Sequence, residues 1–188
     1  MLVRFITVLC WGLSFSLNAA QPIEISNKNF HNYLQEKNHS ILSKDGLLSY
    51  KLVKKIKLHS GISKNKYALY YLGLPVYGYF LNSSEQNAKQ RDWHGMYLIG
   101  IERDLTTIKP KYSKKTVLEL AKKLSKLSKS DKVKNVTAEL YIRLSEQSKA
   151  ELVYLVNFLV EGKDLRRPFY IISALTGKVV RAWDGLAR

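Results

Sequence analysis

The chain has 188 residues, 31 Lys and Arg against 15 Asp and Glu, a formal net charge of +16 and a single cysteine, Cys10. One cysteine excludes a disulfide-stapled module and a cysteine-based zinc site, so the fold must rest on packing alone, in one ordinary core or two small ones. So basic a surface attracts anything acidic, whether nucleic acid, anionic lipid, cell-wall polymer or an acidic protein.

Residues 1–20 read as a secretory signal: Arg4 stands near the front, an apolar run covers 5–17, and Asn18-Ala19-Ala20 precedes the polar Gln21-Pro22. Cleavage is expected after Ala19 or Ala20. The apolar run is shorter than the roughly 20 residues a spanning helix needs, so no transmembrane anchor is expected after cleavage. An exported chain without disulfides fits a bacterial periplasm or medium. Cys10 and Arg4 leave with the signal.

Ser26 caps an expected helix over 27–37, in which Phe30, Tyr33 and Leu34 recur at helical spacing. Residues 47–58 alternate as a strand, with turn chemistry at 59–61 and 63–65. A strand at 67–72, a bend at Gly73-Leu74-Pro75 and a returning strand at 76–81 complete a meander. Residues 82–92 read as a polar insert and 93–101 as a further strand. Ile108-Lys109-Pro110 reads as a linker.

Ser113 caps a second helix over 114–127, with Val117, Leu120, Ala121, Leu124 and Leu127 on one stripe and Lys114, Lys115, Lys122, Lys123, Lys126 and Lys129 around the rest. Such a helix can lie on a membrane or cover a sheet; the second reading is preferred. Strands are expected at 137–144, 151–160, 169–173 and 178–183. Residues 151–160 are apolar on both faces, which marks a central buried strand, and Gly177 can take positive φ in a tight hairpin turn at 173–178.

Recognisable active-site chemistry is missing. His31, His39, His59 and His94 form no H-E-x-x-H pattern, and G-x-S-x-G and glycine-rich phosphate loops are absent. Lysines are spread along the chain without an arginine-rich arm or RNP-like strand, so a solvated basic face is preferred over a nucleic-acid surface. Asn38-His39-Ser40, Asn82-Ser83-Ser84 and Asn135-Val136-Thr137 match the glycosylation pattern, which matters only in a eukaryotic host.

Two stretches carry a family resemblance. Tyr71-Leu72-Gly73-Leu74-Pro75-Val76-Tyr77-Gly78 looks like the signature of the fungalysin and thermolysin propeptide module. The strand ending Tyr154-Leu155-Val156, the run from Phe169 through Thr176-Gly177-Lys178-Val179-Val180 and the closing Arg181-Ala182-Trp183-Asp184-Gly185-Leu186 resemble the PepSY module of the same secreted zinc metalloproteases. Ser173 stands where the usual form has Asp, and residues 82–92 replace the usual D-x-x-G-x-[VI] strand.

The resemblance implies an α+β fold of two small modules, residues 22–105 and 108–186, each an antiparallel sheet packed against a helix. Tyr71, Gly73, Pro75, Val76, Gly78, Thr176 and Gly177 are then structural. It implies a non-enzyme without cofactor or metal, monomeric when free, whose partner is a secreted thermolysin-type zinc metalloprotease rather than nucleic acid. By analogy with family propeptides, Trp183, Asp184, Gly185, Leu186, Ala187 and Arg188 form an inhibitory tail. The Arg188 carboxylate would approach the protease zinc, with Ala187 and Leu186 in the non-primed pockets. The alternatives are an envelope-associated basic binding module and the remnant of a protease precursor lacking its catalytic domain.

Overall fold

A computed structural model describes residues 19–37, 40–86 and 90–186. The expected signal segment lies, apart from Ala19 and Ala20, outside the described residues, as do Asn38, His39, Ala187 and Arg188. The chain forms β1 (Gln21–Ser26), α1 (Phe30–Tyr33), β2 (Leu34–Lys37), β3 (Ser40–Ser43), β4 (Leu48–Lys57), β5 (Ile62–Tyr71), β6 (Leu74–Gln86), β7 (Gln90–Ile99), α2 (Ile101–Asp104), α3 (Lys114–Leu124), β8 (Lys132–Leu144), β9 (Ala150–Glu161), β10 (Pro168–Ser173) and β11 (Val179–Asp184). With 58% of the described residues in strands and 12% in helices the fold is α+β, as expected.

The strands run β11-β10-β9-β8-β6-β5-β4-β3-β2, with β7 on β6 and β1 on β7. Every pairing is antiparallel except β6 with β8, where Val76 lies beside Ile142. That parallel step joins the early strands to the late ones. It needs β6 to leave β5: Tyr70 pairs with Pro75 but Ala68 pairs with Phe80, so residues 76–79 bulge out opposite Leu69. Gly78, at φ +84°, takes the backbone conformation the bulge requires.

Central β9 buries one face fully, with Leu152, Val156, Phe158 and Val160 at 0–1% exposure, whereas on the other face, expected to be buried too, Val153 and Asn157 are buried but Glu151, Leu155 and Leu159 are only half-buried. Helix α3 starts where expected, the Ser113 hydroxyl accepting from the Thr116 N–H at 3.1 Å. It covers one face of β8 and β9, burying Val117 and Ala121, and its Ser125 hydroxyl meets the Tyr170 hydroxyl at 2.8 Å. The last α-helical residue is Leu124 rather than the expected residue 127, because Lys126 turns to φ +47°, a left-handed stop.

The expected helix over 27–37 shrinks to α1, after which the chain extends into β2. Asparagine chemistry diverts it: Asn29 Oδ1 accepts from the Ser26 N–H at 2.8 Å and Asn29 Nδ2 donates to the Glu24 carbonyl, so local side-chain bonds compete with helical ones. Asn27 turns outward to receive the Trp93 N–H, while Phe30 stacks on Trp93 at 4.6 Å. The expected polar insert is also different. Residues 82–86 and 90–92 extend the β6–β7 hairpin in register, with Ser83 2% exposed and accepting from Asn65 Nδ2.

Tyr50 is buried in the early half and donates to the Met96 carbonyl at 2.7 Å. Burial raises its pKa far above the usual phenol value, with Tyr97 adding to it, and burial together with Asp45 pushes Tyr97 up to about 12. Both folded values exceed the unfolded one of about 10. Their contribution to stability is therefore complete below about pH 10 and is lost as pH rises through the folded values. Tyr50→Phe is expected to cost about 1 kcal/mol at neutral pH by orphaning the Met96 carbonyl, and to flatten the stability decline above pH 10. Denaturant titrations at neutral and alkaline pH measure both.

Candidate functional site

The residues that carried the resemblance fall into two places. In the first, Leu72 and Gly73 take φ +47° and +85° in a two-residue turn between β5 and β6. Tyr71 is buried on one side of it, and Pro75 and Val76 lie in β6 as it departs toward β8. This stretch builds backbone. It presents no reactive group.

The second place is the C-terminal hairpin. Gly177, at φ +69°, donates to the Ser173 carbonyl at 2.9 Å, and the Ser173 N–H donates to Lys178 at 2.9 Å. The Thr176 hydroxyl accepts from the Lys178 N–H, and Ser173 Oγ accepts from the Thr176 N–H. A Cβ on Gly177 would stand 2.8 Å from the Tyr112 ring. Tyr112 is anchored in turn by its own N–H and that of Lys111, both donating to the Ala174 carbonyl. Ser173 thus fills its turn position with a hydroxyl that still caps the Thr176 N–H.

From this turn β11 runs back along β10 as the outermost strand. Every residue of β11 but the half-buried Trp183 is exposed, and among the described residues no strand pairs with its outer edge. Trp183 lies opposite Phe169, their rings stacked at 5.1 Å with planes 9° apart. Arg181 sits 5.7 Å from the Trp183 ring and Arg167 5.5 Å from the Phe169 ring, closing a cation–π ladder.

The chain then leaves the sheet in a fixed direction. Asp184 Oδ1 accepts from the Arg167 N–H at 2.9 Å and the Leu186 N–H at 3.0 Å, and the Gly185 N–H donates to the Arg167 carbonyl at 2.8 Å. A Cβ on Gly185 would lie 2.3 Å from the Phe169 ring, so only glycine passes there without displacing it. Leu186 is 39% exposed at the end of this ramp. Of the six tail residues singled out in the sequence, Trp183 to Leu186 therefore form one ordered exit, and Ala187 and Arg188 lie outside the described residues.

Beside the hairpin is a feature that sequence reasoning missed. Helix α3 covers one face of β8 and β9 and reaches Tyr170 of β10, and the other face of this sheet opens into a cleft of ≈ 800 Å³ lined by Tyr77, Arg143, Glu151, Ile171 and Arg181 among others. Tyr77 meets Tyr141 edge-on at 5.9 Å, and Arg143 Nε lies 3.9 Å from Glu151. Burial pushes the Tyr141 phenol up to about 12, and its hydrogen bond to Glu139, at 2.7 Å, adds to the shift. The alternation Glu139, Tyr141, Arg143 along β8 was the available signal. It shows a polar face but not what stands across it. Among the described residues no cluster of three or more His, Cys, Asp or Glu could hold a metal ion.

No family model matches the chain. It is 32% identical over 92% of its length to the hemagglutinin/proteinase of Vibrio cholerae serotype O1, and 28% identical over 98% of its length to the neutral protease of Vibrio proteolyticus. A third relative, the virulence metalloprotease of Vibrio anguillarum, is 31% identical over 73% of the chain. The chain spans 29%, 31% and 23% of the length of these three relatives. Among solved structures, the Bacillus megaterium YpeB C-terminal domain aligns over 92% of both chains at 15% identity with a TM-score of 0.36.

Proposed function

We propose, for a chain homologous over nearly its whole length to the N-terminal, propeptide-like region of secreted Vibrio thermolysin-type metalloproteases, that it binds a protease of that type in trans, as inhibitor, as folding chaperone, or as both. The observation that carries the reading is coverage: 92–98% of this chain matches about 30% of each of two relatives, and the match is to the propeptide part rather than to the catalytic domain. Its partner is then the protease itself.

The geometry supplies a way to bind. Residues 183 and 184 end β11, and Gly185 and Leu186 turn away from it in a direction set by the Asp184 carboxylate and the Gly185 N–H, which leaves Leu186 exposed where a protease cleft could take it. In this reading Trp183 and Phe169 brace the ramp from behind, Leu186 enters the cleft, and Ala187 and Arg188 continue toward the metal. The open sheet face beside it, with Tyr77, Arg143 and Arg181, is the broader docking surface. An inhibitor bound so is pre-organised, and little ordering entropy opposes association.

The test is to add the purified chain to a Vibrio metalloprotease of this type and follow peptide hydrolysis. Saturable inhibition, relieved by excess peptide substrate, is expected. Faster recovery of activity when the denatured protease refolds beside the chain would add the chaperone role. Digestion of the chain without inhibition or assisted refolding would end this reading.

A further inference from the structure

Strand β4 outruns its neighbour. Within the described residues β3 pairs with it only at Ser49 and Tyr50, so the edge over 51–57 meets no strand there, and every side chain along it is exposed. Lysine and aliphatic side chains are mixed along this edge. Lys51, Lys54, Lys55 and Lys57 alternate with Leu52 and Val53, both 52% exposed, and Ile56, 41% exposed; Leu58 follows at 37%. On β5, Lys66 and Lys64 lie opposite Lys54 and Ile56. No acidic residue occurs between Asp45 and Glu85. None of the ion pairs among the described residues involves these six lysines.

Lysines on an open edge ordinarily keep it from pairing with other strands, and alone they would be a solvated face. Four aliphatic side chains exposed among them work against that purpose, since they present apolar surface to water beside an unpaired backbone. Something anionic with an apolar layer would satisfy both. A second copy of the chain would set lysines against lysines. A single-stranded nucleic acid would stack its bases on free rings, but Lys51 Nζ sits 4.2 Å over Tyr70 and Lys66 Nζ 3.6 Å over Phe80, and a duplex, held through its phosphates, would leave the four aliphatic side chains without a partner.

We propose that the β4 edge, residues 51–58, docks on the surface of an anionic phospholipid bilayer. The lysines meet lipid phosphates, and Leu52, Val53, Ile56 and Leu58 reach the boundary between headgroups and acyl chains. The depth follows from the backbone. An unpaired strand edge cannot enter hydrocarbon, where its N–H and C=O groups would have no partner, but at headgroup level phosphate and water satisfy them. The surface is remote from the tail in the fold order, β4 and β11 being separated by five strands, so it is independent of the protease reading.

Flotation with vesicles tests it, using residues 20–188, which contain every described element. Vesicles of phosphatidylcholine alone are compared with vesicles that also contain phosphatidylglycerol, at about 0.15 M salt where diffuse attraction is screened. Binding to the anionic vesicles only is expected. Lys54→Gln/Lys55→Gln/Lys57→Gln should weaken it roughly a hundredfold, at about fivefold per lysine. Leu52→Ser/Val53→Ser/Ile56→Ser, which keeps every charge, should weaken it about tenfold or more. Lys115→Gln/Lys122→Gln/Lys123→Gln on α3 removes the same charge elsewhere and should matter little. Thermal unfolding verifies each variant, and Ile56→Ser alone replaces the triple variant if that unfolds. Undiminished flotation of the aliphatic variant would overturn the proposal in favour of a surface for polyanions without acyl chains. An equal loss from the α3 variant would reduce the effect to overall charge.

Discussion

Phe158→Ala is expected to destabilise the protein by about 3–5 kcal/mol, the range for deleting a fully buried aromatic side chain. Phe158 has no solvent exposure and lies in β9, which is flanked by β8 and β10 and covered by α3. Its position in β8's register makes the site rigid. β8 bulges between Lys134 and Thr137, with Asn135 at φ +50°, directly across from it. A cavity there cannot close by a simple side-chain shift, since the bulge is fixed by pairing on both sides, so the cavity cost adds to the transfer cost. At roughly 2–4 °C per kcal/mol for a chain of this size, the melting midpoint should fall by about 10 °C. The exposed Leu165→Ala on the same half should shift it by less than about 2 °C, because its side chain is 60% exposed already. Equal shifts for the two variants would mean that β9 is not the centre of the core.

That centre was legible because it is a matter of local pattern. Ten residues apolar on both faces mark a strand at the centre of a sheet, and β9 does lie between β8 and β10 with one face fully buried, although its other face is only half-covered where it borders the cleft. The hairpin at Gly177 and the turn at Gly73 were equally legible, since positive φ selects glycine and the flanking residues alternate. What was not legible depended on distant partners. The 27–37 segment has helical spacing, but Asn27 and Asn29 spend their side chains on backbone elsewhere, and Trp93 captures Phe30. Residues 82–92 are polar enough to read as an insert, but Ser83 is buried and bonded to Asn65 across the hairpin. The parallel contact of Val76 with Ile142 joins positions 66 residues apart and leaves no trace in either local pattern. The cleft between Tyr77, Arg143 and Arg181 was invisible for the same reason, because it is made by that contact.

Asp184→Ala is expected to weaken inhibition of a thermolysin-type protease by about tenfold or more while changing thermal stability only slightly. The argument is one of order rather than contact. Asp184 places no atom in the proposed cleft; its carboxylate holds two N–H groups, of Arg167 and Leu186, and so fixes where the chain goes after β11. Without it, the tail must be ordered on binding, at about 0.5–1.5 kcal/mol for each immobilised side chain, which for two residues amounts to roughly tenfold in affinity. Stability should barely respond, since the residue is exposed at the end of an edge strand. Deleting residues 186–188 removes the occupant itself and should cost more than Asp184→Ala, whereas Asp184→Asn, which keeps one accepting oxygen, should cost less. The ranking is the diagnostic: deletion worst, alanine next, asparagine least, all with near-native melting. Inhibition that is unchanged across the series would place the contact on the open sheet face instead, where Arg143 and Arg181 line the cleft. Loss of inhibition in step with loss of folding, as in Phe158→Ala, would carry no information about the tail, so the exposed variants decide the matter.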